Sequence, residues 1–132
     1  MHSTLSYINF VDMKEKDLKT IRTQMIKQMR RGVVELCILS IVSNKEAYPS
    51  DIITELKASE LIVKEGTLYP LLSRLKDQGL LQYNWKESKQ GPPRKYYSIT
   101  ELGRSFLQEL LHTWDALVAA VHQSTKNITT NE

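Results

Sequence analysis

Apolar residues recur every three or four positions in the first third of the chain, and this spacing predicts helices. Leu18, Ile21 and Met25 lie on one such stripe, which indicates an amphipathic helix. The pattern predicts that this helix ends before Gly32. The segment VVELCILSIVSNKE that follows is apolar on almost all sides, so it is expected to be a separate helix in the core.

Two shorter helices are expected next, separated by turn residues. Ser50 can cap the helix DIITELKAS, because serine is a preferred residue just before a first helical turn. A second helix begins near residues 64 and 65 and ends at Gly79, which suits the left-handed conformation that closes many helices. Pro70 lacks a backbone donor and is expected to bend or loosen its start. One face of this helix carries a stripe for the core: Leu68, Leu71, Leu72 and Leu75.

An alternating, aromatic-rich pattern follows and predicts a β-hairpin. Its arms are LLQYNWKES and RKYYSIT, and the residues KQGPP between them form a basic tip. Thr100 then caps a long final helix with one apolar stripe. The packing face of the hairpin is expected to comprise Tyr83, Trp85, Tyr97 and Ile99.

These elements predict a mainly α-helical protein with a small β-hairpin wing (α+β), a winged helix-turn-helix with a long C-terminal helix. Residues 1–12 are interpreted as a mobile N-terminal arm, and 13–100 as the winged helix-turn-helix, whose N-terminal helix contributes to a dimer. Residues 101–123 are interpreted as the dimerisation helix and 124–132 as a mobile tail. The arrangement suits DNA, since a helix fits the major groove and a hairpin can place cations beside it.

The formal net charge of +3 is unevenly distributed. Residues 64–97 hold seven basic and three acidic side chains, a balance of +4, so the rest of the chain carries −1. A surface that binds a polyanion would show this concentration, although a solvated basic surface would show it too. For Ser50, a role as a helix cap explains the residue as well as a contact with DNA does. The candidate DNA contacts are Tyr48, Ser50, Lys64, Gly66, Thr67, Tyr69, Pro70, Ser73, Arg74, Lys89, Arg94 and Lys95.

Several motifs of this region resemble the PadR family of bacterial transcriptional regulators. The resemblance rests on GTLYPLLSRLKDQGLL, on the tryptophan that follows, and on GPPRKYYSITELGRSFL. It extends from about Arg31 to Val121, and the single helix after the hairpin is similar to the short branch of the family. The resemblance implies a dimeric repressor whose terminal helices form the subunit interface, often released from DNA by a small effector.

The final helix carries a wider apolar stripe than one small domain covers, which predicts a two-fold dimer. Its recognition helices would lie about 34 Å apart, so double-stranded DNA with a pseudo-palindromic operator is the expected partner. Trp114 is interpreted either as a plain interface anchor or as half of a pocket for a planar aromatic or lipophilic molecule, which some short members of the family bind. The expected interface comprises Leu18, Ile21, Met25, Leu107, Leu110, Leu111, Trp114, Leu117, Val118 and Val121.

Catalysis finds no support in the sequence. It contains no glycine-rich phosphate loop, nucleophile elbow or metal-ligand spacing, so no enzyme, cofactor or metal site is expected. Cys37 is the single cysteine, in an apolar segment typical of an inert core thiol. No segment has the pattern of a membrane span or secretion signal, and a cytoplasmic location is expected. A winged helix used as a protein–protein interaction module is the alternative, and the charge of residues 64–97 favours nucleic acid over it.

Overall fold

The computed structural model describes residues 4–128, with side chains from residue 14 onward. Two β-strands form an antiparallel hairpin among helices, which confirms the predicted winged helix-turn-helix. The two termini of the sequence, residues 1–3 of the predicted arm and 129–132 of the predicted tail, lie outside the described residues. The elements are α1 (Thr4–Asn44), α2 (Pro49–Ala58), α3 (Glu65–Asp77), β1 (Leu81–Ser88), β2 (Gly91–Ile99) and α4 (Glu101–Thr125).

α1 is one helix of 41 residues, so the predicted break before Gly32 is wrong. A glycine inside a helix costs about 1 kcal/mol relative to alanine, too little to end a helix that no proline or left-handed residue interrupts. The helix also begins at Thr4, within the segment interpreted as an arm. The chain divides into two compact units, residues 1–34 and residues 35–132, and the features described below belong to the second unit unless α1 is named.

The core of the second unit is built from α2, α3, the base of the hairpin and the last turns of α1. The predicted leucine stripe of α3 is confirmed, because all four leucines are buried. Complete burial of a leucine side chain stabilises the fold by about 1.5–3 kcal/mol. The buried residues around this stripe include Ile38, Leu39, Val42, Ile52, Leu56, Leu81, Tyr97 and Ile99.

The start of α2 differs from the prediction, because Tyr48 and not Ser50 is the N-cap residue. The carboxylate of Asp51 accepts a hydrogen bond from the backbone N–H of Tyr48 at 2.9 Å, which replaces the predicted serine cap. Pro49 occupies the first helical position, where its missing donor leaves no bond unmade. The hydroxyl of Ser50 is therefore not used in capping and faces residues from elsewhere in the chain.

The start of α3 agrees with the prediction, with Lys64 as the N-cap residue. Pro70 lies inside the helix, where it cannot donate to the carbonyl of Gly66. Gly66 is exposed, and the space beside its α-carbon is empty. The first turn of α3 therefore has room for an external group to approach its backbone closely.

Gly79 closes α3 as predicted, with a φ of +80°. Its N–H donates to the carbonyl of Lys76 at 2.9 Å, and the N–H of Leu80 donates to the carbonyl of Leu75 at 3.0 Å. This pair of bonds is the Schellman motif, which favours glycine at the left-handed position. It directs the chain from the end of α3 straight into β1.

The hairpin turn lies at Lys89 and Gln90, since Ser88 pairs with Gly91. The residues GPP, predicted to belong to the tip, are the first three of β2. Arg94 and Lys95, predicted to open the second arm directly after the tip, are the fourth and fifth residues of β2. The register places Lys86 opposite Arg94, Trp85 opposite Lys95 and Tyr83 opposite Tyr97.

Thr100 caps α4 as predicted. Its hydroxyl accepts a hydrogen bond from the N–H of Gly103 at 2.9 Å and donates to the carbonyl of Gly79 at 2.6 Å. Gly103 is buried, and a methyl group on its α-carbon would collide with the carbonyl of Leu80 and with Ile99. These contacts join the start of α4 to the end of α3 and the base of the hairpin.

Candidate nucleic-acid interface

The face of α3 opposite its leucines is exposed over the first two and a half turns. Because residues three and four positions apart share a helix face, the leucine spacing that fills the core also directs the remaining side chains outward. Tyr69 retains 47% of its surface exposed, although it stands beside buried Leu68. All of the candidate DNA contacts predicted within this helix are exposed: Gly66, Thr67, Tyr69, Pro70, Ser73 and Arg74.

Arg74 has a protein partner. Its guanidinium lies 3.8 Å from the carboxylate of Glu35, a residue of α1 in the same unit. The Arg74 side chain is about half exposed, and ion pairs of this kind contribute only about 0–1 kcal/mol. A phosphate could therefore compete with Glu35 for this guanidinium.

The hairpin is attached to the start of α2 through Arg94. Its guanidinium lies over the ring of Tyr48, 4.0 Å from the ring centre, and donates a hydrogen bond to the hydroxyl of Ser50 at 2.9 Å. Tyr48 also packs on Tyr96 with ring centres 4.7 Å apart, and the ammonium of Lys86 lies 3.9 Å from the centre of the Tyr96 ring. Cations on aromatic faces at these distances are stabilising, so the hairpin has a defined position against α2.

The other face of the hairpin carries a second aromatic cluster. The ammonium of Lys95 lies 4.5 Å from the ring centre of Tyr83 and 5.6 Å from that of Trp85. Burial of Tyr97 raises the pKa of its phenol, and the neighbouring phenols of Tyr83 and Tyr69 raise it further. Trp85 is 62% exposed, so its predicted place in the packing face is wrong. This face lies against the core at its base and emerges from it toward the turn.

An open groove of about 570 Å³ lies between α2, α3 and the hairpin. It brings together four of the predicted contact residues, Ser50, Tyr69, Arg94 and Lys95, from three elements. Two cations and one carboxylate line it, which gives a net positive charge. Its lining residues are Pro49, Ser50, Glu65, Tyr69, Trp85, Pro93, Arg94 and Lys95.

The sequence matches the family model of the "Transcriptional regulator PadR-like family" over residues 38–109, from the end of α1 into α4. This match covers more than half of the chain. The chain belongs to the PadR-like family. The family consists of transcription regulators and not of enzymes, and its members have this winged-helix fold.

Relatives of this PadR-like chain are similar over most of their own length. A PadR-like transcription factor from Bacteroides fragilis is 53% identical and has a TM-score of 0.66, over 76% of this chain and 97% of that chain. A PadR family regulator from Eggerthella lenta is 30% identical, with a TM-score of 0.75 over 85% of this chain and 98% of that chain. The transcriptional regulator Rv3488 from Mycobacterium tuberculosis is 33% identical over 84 residues, 64% of this chain and 78% of the relative.

Among the described residues one helix follows the hairpin, which is consistent with the predicted resemblance to the short branch of the PadR-like family. α4 extends to Thr125, two residues beyond the predicted boundary, and most of its apolar stripe is exposed. Leu107 is buried by the chain itself. Leu110 and Val118 are half-buried, whereas Leu111, Trp114, Leu117 and Val121 are exposed. On α1, the predicted interface residues Leu18, Ile21 and Met25 are exposed as well.

Other chemistry finds no site in the part of the chain that the structure describes. Among these residues, no group of histidines, cysteines and carboxylates could hold a metal ion. Burial raises the pKa of the Cys37 thiol, which disfavours the reactive thiolate. None of the described helices is long and apolar enough to span a membrane.

The remaining predicted contacts lie outside the groove. Lys64 is exposed before α3, Lys89 is exposed at the hairpin turn, and Tyr48 lies beneath Arg94. The surface formed by α2, α3 and the hairpin also includes Trp85, Lys86 and Tyr96, which were not predicted as DNA contacts. A two-residue turn at Lys89 and Gln90 alone would place Lys86 opposite Pro93. An irregularity between Lys86 and Ser88 shifts the pairing by one residue and brings Lys86 opposite Arg94, which the sequence pattern did not predict.

Proposed function

We propose that this PadR-like protein is a sequence-specific DNA-binding repressor that acts as a homodimer and is released from its operator by a small molecule. The observation that carries the proposal is the continuous surface formed by the exposed face of α3 and the cationic groove beside it. It combines small and polar side chains, which suit base edges, with fixed cations, which suit phosphates. A DNA-binding regulator works where the chromosome is, so a cytoplasmic location is part of the proposal.

In this proposal α3 enters the major groove of the duplex. Thr67 and Ser73 contact base edges, since hydroxyl groups can donate to or accept from bases. Gly66 and Pro70 allow the α3 backbone to approach the DNA closely. Tyr69, Lys64 and Arg74 contact the flanking phosphates, with Arg74 exchanging Glu35 for a phosphate oxygen.

The hairpin and α2 hold the neighbouring sugar–phosphate backbone. Lys95 and the N–H groups of Arg94 not directed at Ser50 neutralise phosphates, and Lys89 does so at the turn. Tyr48 and Ser50 act through Arg94 as well as through their own hydroxyls. Contacts of the hairpin and α2 with the sugar–phosphate backbone are independent of base sequence, so they supply affinity and orientation more than specificity.

The exposed apolar residues of α4, together with Leu18, Ile21 and Met25 of α1, are proposed to form the two-fold dimer interface. A stripe of this size in contact with water is costly, and a second copy would cover it. Leu107 is left out of the proposed interface because its own subunit already covers it. Two-fold symmetry then requires a pseudo-palindromic operator.

Effector release is proposed to involve Trp114, which is 41% exposed in the single chain. Two such indoles facing each other across the dimer axis could stack a planar aromatic or lipophilic molecule between them. The competing interpretation is a plain interface anchor with no cavity. A ligand would release DNA only to the extent that it binds the DNA-incompetent arrangement more tightly.

A gel-shift titration with the promoter of the protein's own gene tests the proposal. We expect retardation of the promoter duplex at protein concentrations that leave a scrambled duplex of equal length and composition free. Equal retardation of both duplexes would contradict sequence-specific binding. No retardation of either would favour the protein–protein interaction module.

A further inference from the structure

Trp85 is a large apolar side chain on a cationic surface, and none of the DNA contacts proposed above involves it. Its neighbours on the same hairpin face are buried where they meet the core, Tyr97 to 2% exposure, whereas Trp85 stands clear of it. Tyr83 meets the indole edge to face, with ring centres 6.0 Å apart and rings nearly perpendicular. With 62% of its surface exposed, the indole can still receive an external group.

The groove next to Trp85 combines two kinds of surface. Trp85 and Tyr69 provide aromatic walls on the hairpin and on α3, and Arg94 and Lys95 provide cations. Lys95 lies opposite Trp85 in the hairpin register, which keeps its ammonium within 5.6 Å of the centre of the indole. Glu65 is the carboxylate in this lining, and the two cations outweigh it. The groove thus offers an apolar surface and cationic groups side by side.

The backbone of DNA has matching chemistry, because apolar deoxyribose faces alternate with anionic phosphates along each strand. We propose that one sugar–phosphate strand of the bound duplex passes through this groove, with phosphates at Arg94 and Lys95 and a deoxyribose against the face of Trp85. The inference rests on the proposed function, since it requires DNA binding. Trp85 then contributes affinity that does not depend on base sequence.

The two tryptophans of the chain, Trp85 and Trp114, allow a direct test by fluorescence. Wild type and Trp85→Phe are saturated with a random-sequence duplex of about 30 base pairs at about 50 mM salt, where backbone contacts dominate binding. Saturation is verified by the anisotropy of labelled DNA. We expect DNA to reduce acrylamide quenching of the wild-type fluorescence markedly and to leave that of Trp85→Phe unchanged. Equal protection in both proteins, or none in saturated wild type, would overturn the inference.

Affinity gives a second and independent measurement. Trp85→Ala should weaken binding to specific and random duplexes alike by about three- to tenfold, because the apolar surface that meets the deoxyribose is removed. The dependence on salt should not change, because the indole carries no charge, whereas Lys95→Ala should flatten it. A circular dichroism spectrum and urea midpoint like those of wild type verify that Trp85→Ala is folded. Wild-type affinity in folded Trp85→Ala would overturn this inference and leave the proposed function standing. Absence of DNA binding in the wild-type protein would overturn both.

Discussion

The guanidinium of Arg94 lies 4.0 Å from the centre of the Tyr48 ring and donates to the hydroxyl of the neighbouring Ser50. One side chain thus connects the hairpin to the first turn of α2 by a cation–π contact and a hydrogen bond. A cation–π contact at an exposed site contributes about 0.5–1 kcal/mol. The contact holds the hairpin in the position that aligns Lys95 with the groove, so Arg94 both positions the hairpin and supplies charge.

Removal of Arg94 and Lys95, two of the cations of the hairpin, should weaken both DNA binding and its dependence on salt. Arg94→Ala combined with Lys95→Ala is expected to lower affinity for all duplexes alike. The log–log salt slope should become flatter by about 0.9 for each phosphate that is no longer neutralised, since fewer counterions are released. Anisotropy titrations at several salt concentrations measure both effects.

Three kinds of substitution serve as controls for this prediction. Arg94→Lys retains the charge and should retain the salt slope, although it removes the hydrogen-bond geometry to Ser50. Lys126→Ala removes a charge at the end of α4 and should alter neither quantity. Thr67→Ala should instead change which base pairs are preferred, as should Ser73→Ala. Equal salt slopes for wild type and the double alanine variant would show that these cations do not contact phosphates.

Two glycine-to-alanine substitutions should have opposite effects on stability. Gly103→Ala is expected to destabilise the protein by about 1–3 kcal/mol, because its methyl group meets the carbonyl of Leu80 in a packed joint. Gly32→Ala should stabilise it by about 0.5–1 kcal/mol, because Gly32 is helical and has open space beside it. Urea unfolding at equal protein concentration measures both. A Gly103→Ala protein as stable as wild type would contradict the described joint between α4 and the hairpin.

A charge on the exposed stripe of α4 should dissociate the proposed dimer. Leu117→Glu places a carboxylate where the partner would cover it, and an unpaired buried charge is strongly unfavourable. Ala116→Glu is the matched control, because position 116 lies off the apolar stripe of the same helix. Sedimentation at micromolar concentration should show a dimer for wild type and Ala116→Glu, and monomer for Leu117→Glu. A monomeric wild type would refute the dimer.

Dye binding should distinguish the two interpretations of Trp114. In the pocket interpretation, planar cationic dyes bind the wild type with a change in fluorescence, and Trp114→Ala abolishes that binding. The Trp85→Phe protein provides the control, since Trp114 is then the single tryptophan and should report the dye unaided. Dye binding that persists in Trp114→Ala, or its absence in wild type, would leave Trp114 as an interface anchor.

Local features of this fold could be predicted from sequence because a few adjacent residues determine them. The leucine spacing of α3, the left-handed Gly79 and the cap by Thr100 each depend on neighbours within one or two turns. The break predicted at Gly32 failed because a glycine penalty of about 1 kcal/mol is small beside the gain from continuing a long helix.

Features of the candidate site that depend on tertiary contacts could not be predicted in this way. Serine is a residue type that commonly caps helices, but the hydrogen-bond partner of the Ser50 hydroxyl is Arg94, which is 44 residues away in sequence. Trp85 alternates correctly with Tyr83 for a packing face, but the hairpin leaves the core before reaching it. Whether an aromatic residue of a strand is buried depends on how far the strand extends over its support, and the alternation itself contains no such information.

Recovery of genomic fragments tests the central claim of sequence-specific binding by a symmetric dimer most directly. The protein is incubated with sheared DNA from its own genome, and the retained fragments are sequenced. We predict that they share an inverted repeat whose half-site centres lie about 34 Å apart, one turn of the duplex. Retention of fragments that share no sequence, or of none above the level seen with Arg94→Ala combined with Lys95→Ala, would contradict the claim.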